Sequence, residues 1–453
     1  ISFGLALLPL SSPLNPWGAQ CARCNGFKVG LAPSAWPGRS LAPLAGSRGG
    51  PRWAGSSDVD PGSDGVEAEP EAKAAEADSS GAEQVEEDQI ILPEGDWREF
   101  RARLIARDKS EPMDASEEAE RPRLSVAAKN EQLLRSQSED LFAEYMQGAW
   151  AHSTSIAETG GLLLRRPLEH QVQISPGAIR EHIFAEAKRD LQASIGKPLE
   201  KKEFEARLEQ WTSNVAYMYR LSERVLQEEL AAIVAAAEAG DAMELDEAQQ
   251  QLLLDCQHYA NSWQEVLLIL RHSTTLGTMG VVINRPLANR MSPQLANVFL
   301  SGLDNSDERT PSEQVADFTQ SFREGVMYQG GPEFTQGPGI LVHGVDLDGA
   351  AEVAPATKIF TGGHDSAAKA IQENKASPMD FRLFLGRRTW GPGELEREIQ
   401  HGYWQPAACS RPVALKQCLA LPKPLWHEVM ELMGGSFKEL SRLEITKRSD
   451  LET

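Results

Sequence analysis

The sequence predicts an α+β protein that carries a helical insertion and a disordered N-terminal region. Its aliphatic and β-branched runs are short, and neighbouring runs are separated by only a few turn residues, as in hairpins. Helical patterns lie between these runs, but without the regular βαβ alternation of a parallel sheet. A long segment rich in Ala, Glu and Gln, 176–262, interrupts the strand pattern and has helical periodicity.

The N-terminal segment, 1–57, has the composition of a transit peptide. It contains five basic residues and no acidic residue, and Ser, Ala, Pro and Gly dominate the rest. An ordinary disordered N-terminus is the alternative. The next segment, 58–125, is predicted to be an acidic, disordered linker with one short helix, because its first part, 58–90, alone has a net charge of −11. The folded domain is therefore expected at 126–453, with the insertion at 176–262 inside it.

The chain is acidic throughout. Of the total charge of −21, the part from Ile91 onward carries −15, and it has no basic patch. Repulsion from a phosphate backbone therefore disfavours direct nucleic-acid binding. No apolar run approaches the roughly 18 residues of a membrane-spanning helix, so a soluble protein with no membrane span is expected. Beyond the leader only Cys256, Cys409 and Cys418 remain, an odd number that argues against a secreted disulfide framework.

Two helices and a strand are predicted ahead of the insertion. In residues 96–107, Asp96 is a candidate N-cap, and Phe100 and Leu104 fall on one face. Residues 131–147 form a second helical pattern. A Gly-Gly break then precedes a strand at 161–164.

The insertion is predicted to contain three helices. Apolar residues recur every four positions from Ile179 to Ile195. A second run begins after Pro198 and ends at Gly240, a common residue at helix ends, and a third covers 246–260. Their Trp, Tyr and Met side chains lie on apolar faces, which favours a packing surface over a cofactor site.

Strand patterns return after the insertion. The runs 266–272 and 280–286 are separated by seven residues, which predicts a hairpin, and 326–332 and 339–344 are predicted to form a second pair. The other strand patterns are 358–363, 381–386 and 403–409, and short helices are expected at 292–300, 312–320, 364–374, 392–401 and 424–443.

Catalytic, cofactor and metal motifs do not emerge from the sequence, so no catalytic residue, no cofactor and no metal site is predicted. There is no nucleophile elbow, no His-Glu-x-x-His and no dinucleotide fingerprint. Cys21 and Cys24 form a CxxC, but no second pair completes four zinc ligands. Asp346 and Asp348 lie in a segment without the carbonyl and Glu positions of a calcium loop.

Strand ends and tight turns supply the candidate binding residues, because such loops often carry function. A Gly pair before Pro makes a turn in which backbone N–H groups can face a ligand. For Asn284 the alternative is that its side chain only satisfies backbone groups of the turn. The candidates are Asn284, Arg285 and Pro286 at a strand end, Gly330, Gly331 and Pro332 in the QGGP turn, and His343.

The segment FLGRRTWGPGELEREIQHGYW, 384–404, predicts a structural clamp. Pro392 suits the first turn of a short helix, because its missing N–H would have no helical partner there. Leu395 and Ile399 lie one turn apart and bury one face of that helix. Two tryptophans flank the unit and are expected to close over it. Trp390, Gly391 and Gly393 also stay among the binding candidates.

These motifs together resemble the AlgH/YqgE-like family of bacteria and plastids. GVVINRPL, QGGP, ILVHG and the segment 384–404 carry the resemblance, and plant members are similar also at DWREFRARLIAR and WAHSTSIAETGGLLL. The insertion and Arg387-Arg388-Thr389 depart from the family pattern. The resemblance implies a mixed, partly barrel-like central sheet ringed by helices. It transfers no agreed catalytic residues, and although bacterial members have been labelled transcriptional regulators, it transfers no DNA-binding motif.

The sequence thus predicts a plastid-targeted, non-enzymatic binding or regulatory protein whose insertion binds a protein partner. The alternative is an enzyme acting on a small anionic or phosphorylated ligand through Asn284, Arg285 and the QGGP turn. Convergence of Arg285, His343 and that turn in one pocket would favour the enzyme, and their dispersal would favour the binding protein.

Overall fold

The computed structural model describes residues 96–109, 128–174, 177–238, 245–302, 311–333, 337–419, 421 and 423–447. The predicted leader, its CxxC and most of the acidic linker lie outside these residues. Within them, helices combine with two sheets, which confirms the α+β class.

The described helices and strands follow the chain in a mixed order. The helices are α1 (Trp97–Lys109), α2 (Ala128–Gln137), α3 (Glu139–Gly148), α4 (Leu168–Ile174), α5 (Ala178–Ile195), α6 (Lys201–Thr212), α7 (Val215–Glu238), α8 (Glu247–Ser262), α9 (Pro293–Ser301), α10 (Ser312–Ser321), α11 (His364–Gln372), α12 (Glu394–Gln400), α13 (Arg411–Ala414), α14 (Leu425–Met433) and α15 (Gly435–Ile445). The strands are β1 (Ala151–Ser153), β2 (Leu162–Arg165), β3 (Val266–Ser273), β4 (Gly277–Val282), β5 (Val326–Gln329), β6 (Ile340–His343), β7 (Ala350–Glu352), β8 (Phe360–Gly362), β9 (Phe381–Leu385), β10 (Arg388–Trp390) and β11 (Trp404–Cys409).

Helix α1 contacts the domain through its polar face. Asp96 caps it as predicted, because its carboxylate accepts from the backbone N–H of Arg98 at 2.9 Å. Arg101 then forms a two-pronged ion pair with Glu158, at 2.6 and 2.7 Å. The apolar face predicted from Phe100 and Leu104 exists, but these side chains remain 37% and 48% exposed.

A serine divides the second predicted helix, 131–147, into α2 and α3. The Ser138 backbone is extended, with φ −164° and ψ 125°, and its hydroxyl accepts from the N–H of Leu141. Ser138 thereby starts a new helix instead of continuing the old one, since a serine hydroxyl satisfies the N–H groups at a helix start.

One sheet has six antiparallel strands in the order β1-β11-β2-β3-β4-β10. The predicted hairpin of 266–272 and 280–286 is confirmed as β3 and β4, which pair in antiparallel register. The short strand β10 was not predicted from the sequence. It extends the sheet edge beside β4, with Trp390 opposite Thr278.

The other sheet has five strands in the order β5-β9-β6-β8-β7. The predicted pairing of 326–332 with 339–344 is wrong, because β9 lies between β5 and β6, parallel to the first and antiparallel to the second. The chain leaves β5 at Gly330, whose N–H donates to the carbonyl of Leu385 at 2.7 Å. The turn after β5 is thus bonded to the end of β9. β5 therefore pairs with a strand that is distant in the sequence, instead of forming a hairpin with β6.

Backbone hydrogen bonds join the two sheets where β4 and the residues after it meet β5 and the turn that follows it. The N–H of Val282 donates to the carbonyl of Gly330, and the N–H of Leu287 donates to the carbonyl of Met327, both at 2.8 Å. The main hydrophobic core is shared by the sheets and contains Leu164, Leu268 and Phe384. The described strands form two open sheets that share this core and do not close into a barrel, where the resemblance implied one partly barrel-like central sheet.

The insertion contains four helices, α5 to α8, where the periodicity predicts three. Its second run is divided at Asn214, whose side-chain oxygen accepts from the N–H of Tyr217 at 2.9 Å and so caps α7. These helices, together with α4, share a core of their own that includes Ile183, Leu226 and Cys256. None of the helices that the structure describes is long and apolar enough to cross a membrane.

Candidate functional site

The strand end after β4 and the QGGP turn meet the segment after β9 where the sheets join. A Cβ atom built on Gly330 would lie 2.3 Å from the carbonyl oxygen of Gly386, and one on Gly331 would lie 2.3 Å from that of Arg387. Glycine is therefore required here for close approach of two backbones. The N–H of Gly330 already has its acceptor in Leu385, so it does not face a ligand.

Asn284, Arg285 and Pro286 are all engaged with neighbouring backbone. The side-chain oxygen of Asn284 accepts from the N–H of Val266 at 3.0 Å, and its amide donates to the carbonyl of Gln264 at 2.8 Å. Arg285 donates to the carbonyl of Trp263. Pro286 forms an isolated antiparallel bridge with Tyr328. This arrangement corresponds to the alternative role of Asn284, in which its side chain satisfies backbone groups.

His343 lies apart from these residues. It pairs with Phe381 at the start of β9, whereas Gln329 of the QGGP turn pairs with Leu385 at the end of that strand. Four residues of strand separate the two positions by about 13 Å. His343 is fully buried, and its ring nitrogens face the carbonyls of Val345 and Gly362. Burial lowers the pKa of His343.

Trp390 and Trp404 close over helix α12 through a shared acceptor. Both indole N–H groups donate to the same carboxylate oxygen of Glu398, Trp390 at 3.0 Å and Trp404 at 2.6 Å. The rings meet edge to face with centroids 6.1 Å apart. Gly277 packs under this unit, because a Cβ there would lie 2.3 Å from the carbonyl oxygen of Trp390. The geometry is that of the clamp predicted from the sequence.

Gly391 and Gly393 form the turn that enters α12. The N–H of Gly391 donates to the carboxylate of Glu394 at 2.8 Å. Gly393 precedes the helix with φ +69°, a left-handed conformation that favours glycine. The turn is therefore held by its own helix.

A charged cluster beside the clamp was missed by the sequence prediction. Arg165 and Arg388 both lie against the indole of Trp404, with guanidinium carbons 5.4 and 5.3 Å from the ring centroid. We call Arg165, Arg388 and Trp404 the arginine–indole cluster. Arg388 was visible only as a departure from the family pattern, and Arg165 only as the residue that follows the predicted strand at 161–164.

A second buried cation lies between the sheets. Arg382 of β9 is 1% exposed, and its Nε and one terminal nitrogen have no hydrogen-bond acceptor among the described residues. Burial lowers its pKa to about 10. Tyr328, Cys418 and Asp380 are the ionisable groups whose charge would favour the guanidinium, and none of them forms an ion pair with it among the described contacts. The sequence of 381–386 shows the arginine but does not show that its side chain is buried, because a single charged residue in a strand usually faces solvent.

The described part of the chain holds no cluster of metal-binding side chains. Among the residues described, no three His, Cys, Asp or Glu side chains form a group that could hold a metal ion.

The insertion carries an open groove of about 790 Å³, which runs between α5, α6 and the start of α7. The residues that line it are Leu191, Ser194, Ile195, Arg207, Gln210, Trp211, Asn214 and Tyr217.

Fold and geometry together define an α+β protein of two joined, open sheets whose turn motifs are occupied by backbone contacts. Residues 254–438 match the family model described as AlgH-like, DUF179. This segment is therefore an AlgH-like domain, of a family whose function is uncharacterised, and the resemblance predicted from the motifs is confirmed. The helices α5 to α7 lie outside the matched segment.

Individual relatives are bacterial. The chain is 25% identical to a UPF0301 protein of Chlorobium limicola over 181 residues, 40% of this chain and 82% of the relative. It is 27% identical to UPF0301 protein CAB604 of Chlamydia abortus over 180 residues, 39% of this chain and 81% of the relative. The solution structure of the AlgH protein from Pseudomonas aeruginosa is 22% identical, covers 34% of this chain and 72% of its own, and has a TM-score of 0.25.

Proposed function

We propose that this chain is a plastid-targeted, non-enzymatic AlgH-like protein that binds a protein partner through its helical insertion. The observation that carries the proposal is the groove between α5, α6 and α7, which combines apolar, aromatic and arginine side chains. Such side chains dominate the binding energy of protein interfaces.

The shape of the groove suits a partner side chain or helix. Trp211 and Tyr217 meet edge to face with ring centroids 5.2 Å apart, and both are partly exposed. Leu191 and Ile195 form the opposite wall, one turn apart on α5. Partly exposed aromatic side chains of this kind are enriched in protein interfaces.

The dispersal of the sequence candidates supports a binding protein over the enzyme alternative. Arg285 and the QGGP turn lie at one end of β9, and His343 lies at the other. The polar atoms of Asn284 and Gly330 are taken up by backbone partners. A proton-transfer or anion site would need these groups to face a common space.

The plastid assignment rests on the composition of residues 1–57, which have five basic and no acidic residues. A reporter fused to residues 1–70 tests it. Import followed by cleavage between positions 40 and 60 is expected, and a uniform cytosolic signal would contradict the assignment.

Partner binding is tested by quantitative capture from plastid stroma. The bait variant Trp211→Ser/Ile195→Ser removes apolar side chains from the groove. The matched control, Lys201→Ser/Glu205→Ser, changes two exposed residues of α6. We expect a captured protein to be lost with the groove variant and kept with the control, at unchanged melting temperatures. Equal capture by both variants would contradict binding through the groove.

A further inference from the structure

The arginine–indole cluster lies at one end of the outer face of the six-stranded sheet. Arg165 ends β2 and pairs in register with Trp404, the first residue of β11, and Arg388 begins β10. Helix α8 of the insertion covers the cluster. Its Tyr259 ring centroid lies 5.9 Å from the guanidinium of Arg165, and its Asp255 accepts from the hydroxyl of Tyr403 at 3.0 Å.

Both arginines have hydrogen-bond donors without acceptors. Arg165 is buried, and among the described residues its guanidinium donates only to the carbonyl of Tyr403, at 3.3 Å, while its Nε has no acceptor. The Arg388 guanidinium donates one hydrogen bond, of 3.4 Å, to the carboxylate of Glu265. Its Nε likewise lacks an acceptor in the described part of the chain. A buried charged donor without an acceptor destabilises the fold by several kcal/mol in order of magnitude.

Three carboxylates lie near the two arginines, and each of them already accepts a hydrogen bond. Glu398 uses one carboxylate oxygen for two indole N–H groups. Asp255 accepts from Tyr403 and Gln251, and burial raises its pKa. Glu265 contacts Arg388 but forms no described ion pair with Arg165. Burial lowers the pKa of Arg165, and the neighbouring Arg388 lowers it further.

We propose that Arg165 and Arg388 bind an oxyanion, a phosphate or a carboxylate group of a small ligand. A guanidinium presents parallel N–H groups that match two oxygens of such a group. Each arginine has an Nε–H without an acceptor in the described part of the chain, and an anion between the two guanidiniums would offset their mutual repulsion. The rings of Trp404, Tyr403 and Tyr259 all lie against the Arg165 guanidinium and suit an apolar or planar body attached to the anion.

Solvent reaches the cluster at Arg388, whose side chain is 25% exposed. His258 of α8 is also exposed. Burial and the charge of Arg165 lower the pKa of His258. The site lies apart from the groove on α5 to α7, and it does not depend on partner binding there.

Thermal unfolding and calorimetry of the full chain with inorganic phosphate test the proposal, with acetate in parallel and sodium chloride keeping ionic strength constant. We expect a saturable rise in melting temperature with at least one of the two anions, because a ligand that binds only the folded state stabilises it. Phosphate alone indicates a phosphorylated ligand, and acetate alone indicates a carboxylate.

The variant Arg388→Gln should weaken the Kd at least about tenfold, since a charged bidentate contact is lost. The control Arg397→Gln removes the same charge from an exposed position on α12 and should leave the Kd unchanged. If Arg388→Gln does not fold, Arg388→Lys keeps the charge and should still weaken binding. A wild type without a saturable response, or equal Kd values for Arg388 and Arg397 variants, would overturn the proposal.

Discussion

Replacing Trp390 by Ala tests whether the segment after β10 stabilises the domain. The side chain is 5% exposed, packs edge to face on Trp404, and donates to Glu398. A buried Trp removes up to about 250 Å² from water, worth roughly 6 kcal/mol at about 25 cal/mol per Å². Measured losses for Trp→Ala in packed sites are about 3–5 kcal/mol, because the neighbours relax only in part. We expect a loss in this range, a large share of a typical domain stability of about 5–15 kcal/mol.

Urea unfolding followed by far-ultraviolet circular dichroism measures this loss. Two matched variants separate its parts. Trp390→Phe keeps an aromatic ring but removes the N–H, and it should cost roughly 1–2 kcal/mol. Glu398→Gln keeps the shape of the shared acceptor but removes its charge, so both indole N–H bonds should weaken.

The result that refutes this reasoning is a Trp390→Ala variant within about 1 kcal/mol of the wild type, because a buried, packed ring cannot be removed at so small a cost. If such a variant also failed to bind partner or anion, Trp390 would belong to the functional surface and not to the clamp.

The buried charges and the insertion give three other predictions. Arg382→Met should leave the free energy of unfolding unchanged or raise it by up to roughly 3 kcal/mol, because a pKa lowered to about 10 reflects the cost of burying this cation. A loss of more than about 2 kcal/mol in urea unfolding would contradict this. Burial raises the pKa of Glu169 from 4.5 to about 7, so the folded chain holds more protons than the unfolded chain within that window. Stability should therefore fall as the pH rises from about 4.5 to 7, and Glu169→Gln should remove that dependence in urea midpoints. Replacing 176–260 by a short Gly/Ser linker should keep a cooperative thermal transition, because the insertion has a hydrophobic core of its own. The melting temperature should be lower, because the hydrogen bond from Tyr219 to Glu444 of α15 is lost. If calorimetry showed no transition, the helices of the insertion would be needed to complete the main core.

The local parts of the fold were predictable from the sequence. The runs that became β3 and β4 are aliphatic, adjacent and joined by a short turn, so local pattern and final pairing agree. Ser292 and Pro293 begin α9 close to the predicted position because the cap and the proline act within one turn. The pairing of β5 with β9 was not predictable, because β6, β7, β8 and α11 all lie between these two strands along the chain.

The candidate site was predictable only in part, for a related reason. Pattern shows that Asn284 and Gly330 are special positions, but not which distant backbone groups they meet. Asn284 contacts Val266 and Gln264, and Gly330 contacts Gly386. Arg165 and Arg388 are far apart in the sequence and meet only because β2, β11 and β10 share a sheet.

Asn284→Ala offers the most direct test of whether the strand-end motif holds the fold or serves a ligand. The substitution leaves the N–H of Val266 and the carbonyl of Gln264 without their side-chain partner. Each lost partner of a buried group costs about 1–3 kcal/mol. We predict that the free energy of unfolding in urea falls by roughly 2–4 kcal/mol, and that Asn284→Asp, which keeps the acceptor, loses about half as much. A change in the free energy of unfolding of less than about 0.5 kcal/mol, the range typical of surface substitutions that break no contact, would contradict a structural role for this motif.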